Sequence, residues 1–144
     1  MRRDGKKGFL KFWFPVIIYA MVIFWGSSQD SSFLVNIEVS GLDKILHIAE
    51  YSLLGFLLAR AIAGPAKKIS VATLVFITFI IGTLYGLTDE FHQYFTPGRT
   101  TSILDLLSDS IGSFLGAVTF IAFNKKIAFG NNPLRGGSGA PLNG

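Results

Sequence analysis

The sequence predicts an all-α fold, an integral membrane bundle of four transmembrane helices with both termini on the cytoplasmic side. Three observations lead there. Half of the residues are apolar and only 15% are charged, a balance unusual in a soluble domain. The apolar residues gather into four runs, 9–26, 42–63, 69–87 and 103–123, each near the roughly 20 residues that a helix needs to cross a hydrocarbon core about 30 Å thick. The basic residues fall on alternate connections. Arg2, Arg3, Lys6, Lys7 and Lys11 precede or open the first run, Arg60, Lys67 and Lys68 lie between the second and third, and Lys125, Lys126 and Arg135 follow the fourth, whereas Lys44 and Arg99 are on the other side. Cytoplasmic loops carry the excess of Lys and Arg, so the 1–2 and 3–4 connections are expected outside.

The first run is the shortest. Lys11 inside it is expected to snorkel towards the headgroups, and Pro15 is expected in the first turns, where helix amides have no intrahelical partner to lose. A competing reading makes this run a cleaved signal peptide, with a basic start and small residues at Gly26, Ser27 and Ser28. Residues 27–41 form a polar connection. The second run ends at Gly64-Pro65, since proline cannot continue the helix, and the tight connection after it makes the second and third helices antiparallel neighbours. The third helix is expected to run past the membrane as far as Phe95, before Pro97-Gly98 turns the chain. The stretch from Gly130 onward is rich in Gly, Asn and Pro, has no apolar face to bury, and is expected to be a flexible tail. The division that follows is a basic cytoplasmic segment 1–11, a membrane domain 12–124 and a cytoplasmic tail 125–144.

Several chemistries are excluded at once. With no cysteine there is no disulfide framework, thiolate nucleophile or zinc–thiolate site. The net charge is +4, but the basic residues flank apolar segments and do not form a stripe with interleaved aromatics, so nucleic acid is not an expected partner.

What remains is a polar constellation. At about 100° per residue, Asp43, Lys44, His47, Glu50, Tyr51 and Leu54 fall in a stripe about 120° wide. Glu50 lies roughly two turns from the start of its helix, where a carboxylate must be paired, protonated or wetted. On the fourth helix, Ser102, Asp105, Ser108, Asp109, Gly112, Gly116 and Thr119 are expected to share a face. Asp105 and Asp109 stack one turn apart, so a cation or shared proton would relieve their repulsion. The Ser108, Gly112, Gly116 spacing suits close backbone approach by another helix. On the third helix, Gly82, Gly86, Asp89 and Gln93 share a face flanked by Tyr85 and His92, and Glu90 points away. Arg99 is expected to clamp an acid, because a planar guanidinium matches a carboxylate.

These groups fit more than one chemistry. His47 or His92 beside a carboxylate would serve as acid or base, with Glu50, Asp89 and Glu90 as further catalytic candidates. Lys44 and Arg99 would hold an anion. His47, Glu50, Asp89, His92, Asp105 and Asp109 suit a divalent cation, but their spacing matches no strong metal signature, and no cofactor is named by the sequence. A purely structural reading makes the same groups a network that fixes helix register.

Two segments carry a resemblance. Residues 43–55, Asp-Lys-Ile-Leu-His-Ile-Ala-Glu-Tyr-Ser-Leu-Leu-Gly, and residues 89–100, Asp-Glu-Phe-His-Gln-Tyr-Phe-Thr-Pro-Gly-Arg-Thr, followed by Asp105, Asp109, Gly112 and Gly116, resemble the two motifs of VanZ-like membrane proteins, over about residues 12–123. The second motif is the more specific. One departure is Asp109, where the family often carries Asn. The resemblance implies a bacterial multi-pass protein of the plasma or inner membrane, associated with low-level resistance to teicoplanin and related lipoglycopeptides through an activity that is not settled. Expected partners are the bilayer and an envelope lipid, a peptidoglycan precursor or a lipoglycopeptide. The expected binding set is Lys44, His47, Glu50, Tyr51, Asp89, Glu90, His92, Gln93, Arg99, Asp105 and Asp109. Two functional classes follow: a binding protein with an outward-facing polar pocket, or a membrane enzyme, with or without a metal, acting on a lipid-linked or phosphorylated substrate.

Overall fold

The computed structural model describes residues 3–29, 41–64, 69–97, 99 and 101–124. They form four helices, α1 (Arg3–Ser27), α2 (Leu42–Ala63), α3 (Val71–Tyr94) and α4 (Ile103–Phe123), and no strand occurs among them. All four are long and apolar enough to cross a membrane. In a hydrocarbon environment the backbone must satisfy its own hydrogen bonds, which leaves a chain with such runs little alternative to helices. The expectations for the 1–2 connection at 30–40, for Lys67 and Lys68, and for the tail at 125–144 lie outside the described residues.

Each helix boundary has a local cause. Gly41, at φ 94°, begins α2, and Gly64, at φ 53°, ends it; both sit in the left-handed region that glycine enters without steric cost. Ser70 caps α3 by accepting from the Thr73 amide at 3.1 Å, and Ser102 caps α4 by accepting from the Leu104 amide at 3.2 Å. Ser102 is therefore a cap and not a member of the α4 face. Thr119, expected on that face, is exposed, because a straight helix drifts away from a strict four-residue spacing over several turns. Pro15 also differs from expectation. The helix begins at Arg3, so Pro15 lies in its interior, where the missing amide leaves the Lys11 carbonyl without its intrahelical donor.

Small residues set how closely the helices approach. A Cβ built on Gly112 would lie 2.6 Å from the Ile48 carbonyl oxygen, and one on Gly116 would lie 2.6 Å from the Phe56 amide nitrogen. Gly55 of α2 meets the backbone of Ser113 in the same way. On the other side of α4, Gly82 of α3 covers the Ser113 side chain, and a Cβ on Gly86 would lie 2.8 Å from Asp109 Oδ2. The small-residue run on α4 is thus a packing device, with α2 against one side and α3 against the other. Below this contact, Leu54, Leu58, Ala59, Leu74, Ala117 and Phe120 form the apolar core, with Phe56 edge-on to Phe120 at 5.5 Å.

α1 is attached differently. Val16 and Ile23 are its buried apolar side chains among the described residues. Hydrogen bonds do much of the rest: Tyr19 Oη donates to the Glu50 carbonyl at 3.2 Å, and Tyr85 Oη donates to the Ala20 carbonyl. Arg60 stacks over the Phe12 ring at 4.9 Å and ties the far end of α1 to α2.

The glycine contacts predict an asymmetric response. Gly112→Ala should lower the thermal midpoint of the detergent-purified protein, since overpacking a close contact costs about 1–3 kcal/mol. Gly26→Ala, with nothing within 4 Å of the added Cβ, should leave the midpoint unchanged. Equal midpoints for the two variants would remove the close-approach account.

Candidate functional site

The ionisable residues collect where α1 and α3 finish and α2 and α4 begin. Two rungs join α2 to α4. Lys44 pairs with Asp105, and also with Asp43 at 2.6 Å. One turn deeper, His47 Nδ1 meets Asp109 Oδ1 at 2.8 Å. The two acids that would repel each other along α4 therefore each receive a partner from α2. Close approach at Gly112 makes this possible, because it brings the α2 side chains within reach. Asp109 is wholly buried, and His47 retains 15% of its side-chain exposure.

α3 faces α1. Asp89 accepts from Ser27 Oγ and, at 2.9 Å, from Gln93 Nε2 one turn on. His92 Nε2 meets Ser28 Oγ at 2.9 Å, and its ring lies 4.3 Å from that of Phe24. Glu90 does point away from this face; it is buried and accepts the Ser102 amide at 2.9 Å, which fixes the turn into α4.

Arg99 clamps no acid among the described residues. Its Nη2 donates to the Gly26 carbonyl at 3.0 Å and its Nε to the Gln29 carbonyl at 3.1 Å. The physical reason is the end of α1: the carbonyls there carry partial negative charge, which favours a cation, and the Gly26 carbonyl accepts from Arg99 as well as from the Gln29 amide at 3.1 Å.

Between these groups lies a cavity of about 230 Å³. Ser27, Asp43, His47, Glu50, Asp89, Gln93 and Arg99 form its polar lining, and Ile23 and Leu46 are apolar members. Of the residues proposed from sequence, His47, Glu50, Asp89, Gln93 and Arg99 come together on this cavity. Lys44, Asp105 and Asp109 stand behind it as partners of α2 or α4 groups. Tyr51 is fully buried, 6.2 Å ring to ring from Tyr85, and its hydroxyl has no partner among the described residues. Glu90 and His92 serve the turn and the α1 contact. Among the described residues, no three His, Asp or Glu side chains are grouped so as to hold a metal ion.

Sequence reasoning missed the part α1 plays. Ser27 lines the cavity, Ser28 holds His92, and the carbonyls of Gly26 and Gln29 hold Arg99. The signal was the Gly-Ser-Ser-Gln sequence that ends the first run, which supplies donors and open carbonyls at the same end of the bundle as both motifs.

Fold and site together define a multi-pass membrane protein with an ionisable cluster enclosed by the ends of its own helices. The VanZ/LLP1 family model matches residues 9–124; the chain belongs to this family. Comparison with curated proteins and with solved structures gives no match.

The inner rung predicts a measurable coupling. Removing one partner of a buried hydrogen-bonded pair leaves the other unsatisfied, at a cost of about 1–3 kcal/mol and more for a charged group. His47→Ala should therefore be strongly destabilising in detergent unfolding. Adding Asp109→Asn to it should recover part of the loss, with a double-mutant coupling of about 0.5–3 kcal/mol. Strictly additive effects would mean that the two side chains do not interact.

Proposed function

We propose that this VanZ/LLP1 protein presents its polar cavity at the outer surface of the plasma or inner membrane and there binds an envelope lipid, a peptidoglycan precursor or a lipoglycopeptide. Three considerations support the reading. The cavity lies at the end of the bundle opposite the connections rich in Lys and Arg, and those connections favour the cytoplasm. Ionisable groups within membrane helices are rare and tend to mark functional sites. The family resemblance supplies a phenotype, low-level teicoplanin resistance, whose drug targets lie outside the membrane.

The observation that carries the proposal is the cavity itself. His47, Glu50, Asp89 and Arg99 come from two helices and a connecting turn, and they line one space with α1 as a wall. A network serving register alone would close on itself and leave no such space. The two rungs, Lys44 with Asp105 and His47 with Asp109, act as support that holds α2 in place.

A membrane enzyme is the second reading, and one observation favours it. Asp109 at Nδ1 orients the His47 ring, which leaves Nε2 as the atom able to exchange a proton with an occupant of the cavity. Among the described residues no carboxylate is bonded to His92, whose ring nitrogen meets Ser28.

Expression in a teicoplanin-susceptible bacterium tests both. For a binding protein, the wild-type chain should raise the inhibitory concentration of teicoplanin, and Asp89→Asn or Arg99→Ala should abolish that rise while membrane abundance and cell-wall precursors stay unchanged. Altered muropeptides or lipid-linked intermediates that depend on His47 would favour the enzyme. A C-terminal fusion active only in the periplasm or outside the cell would overturn the proposed orientation.

A further inference from the structure

The balance of charge in the cavity says which chemistry it suits. Asp43 is answered by Lys44. Asp89 has two neutral donors, the Ser27 hydroxyl and the Gln93 amide, and no cation within ion-pair distance among the described residues. None of the described residues donates to the Glu50 carboxylate, which also lines the cavity. The basic side chains on the cavity make their direct bonds elsewhere. Arg99 donates through Nε and Nη2 to the end of α1, and His47 holds Asp109 through Nδ1. Among the described residues two carboxylates thus face one cavity that a single guanidinium also lines, an excess of negative charge that a positive ligand relieves.

Resting on the reading of this cavity as a binding site, we infer that it takes a primary ammonium group. A divalent cation of the calcium or magnesium type wants about six or more oxygen ligands, and no metal-holding group of three occurs among the described residues. A quaternary ammonium is recognised by an aromatic cage, and no Phe, Tyr or Trp lines the cavity among the described residues. An anion would face Glu50 and Asp89 with one guanidinium among the described residues to answer both, two of its nitrogens already donating to backbone carbonyls. A primary ammonium has three donors, enough to bond both carboxylates through charge-assisted hydrogen bonds, and its methylene carbon can rest on Ile23 and Leu46. The cavity volume of about 230 Å³ accommodates a headgroup of that size. Such an amine reaches the site either on an aminophospholipid or on a soluble or peptide-borne amine.

Native mass spectrometry of the full chain in maltoside detergent tests this, with phosphatidylethanolamine, phosphatidylcholine and phosphatidylglycerol of identical acyl chains as probes. Wild type should retain phosphatidylethanolamine roughly tenfold over the other two, a difference of about 1.4 kcal/mol. Stepwise N-methylation should erode the preference, a comparison that needs no variant. Glu50→Gln should reduce it to the level of phosphatidylcholine, while Phe76→Leu, at an exposed position away from the cavity, should keep it. Displacement by n-butylammonium would mean that the amine suffices; resistance to displacement, with the preference intact, would assign the source to the lipid headgroup. Preference for phosphatidylglycerol that is lost in Arg99→Ala would overturn the ammonium inference and leave the cavity a binding site. Retention of all three lipids equally and independently of Glu50 and Arg99 would overturn both.

Discussion

The contact between α2 and α4, in which backbone meets backbone across Gly55, Gly112 and Gly116, is the constraint from which the site follows. Lipid offers no hydrogen bonds, so polar groups inside the bundle have to find one another. Side chains as short as Asp can do so only where helix axes come close. Where α4 lies against α2, Asp105 reaches Lys44 and Asp109 reaches His47. On the opposite side of α4, Gly86 leaves room for the same Asp109 carboxylate. Packing and electrostatics are therefore one feature here: a larger residue at Gly112 would separate the helices and strand two acids in an apolar interior.

α1 completes the site by other means. It buries little apolar surface, and its attachment runs through side chains to backbone carbonyls and through Ser27 and Ser28 to the motif residues of α3. Hydrogen bonds between membrane helices contribute about 0.6–2 kcal/mol each, so several are needed to hold a helix that packs sparsely. As a result, the wall of the cavity and the polar residues inside it share partners: Asp89 both faces the cavity and anchors α1.

Much of this was legible from residue order. The four runs, the stripe on α2, the glycine face of α3 and the small-residue run on α4 follow from periodicity, because a helix maps spacing directly onto direction. Distance across helices does not follow from periodicity. Arg99 and Asp105 are near in sequence, yet Arg99 bonds the Gly26 and Gln29 carbonyls at and just past the end of α1, where helix carbonyls carry partial negative charge. The stacked acids of α4 have their partners on α2, some sixty residues earlier, a pairing no local pattern encodes. Ser27 and Ser28 were visible only as small residues after an apolar run. Their role depends on where α1 docks, which its weak apolar face leaves to a handful of hydrogen bonds.

The central claim is that α1 docks with Ser27 against Asp89 and so encloses the cavity. The chain contains no cysteine, so a pair can be introduced without background. Ser27→Cys combined with Asp89→Cys should form an intramolecular disulfide on mild oxidation in membranes, and Ser27→Cys combined with Phe91→Cys, whose native side chain is 68% exposed, should not. Cross-linking of the second pair in place of the first would contradict the account.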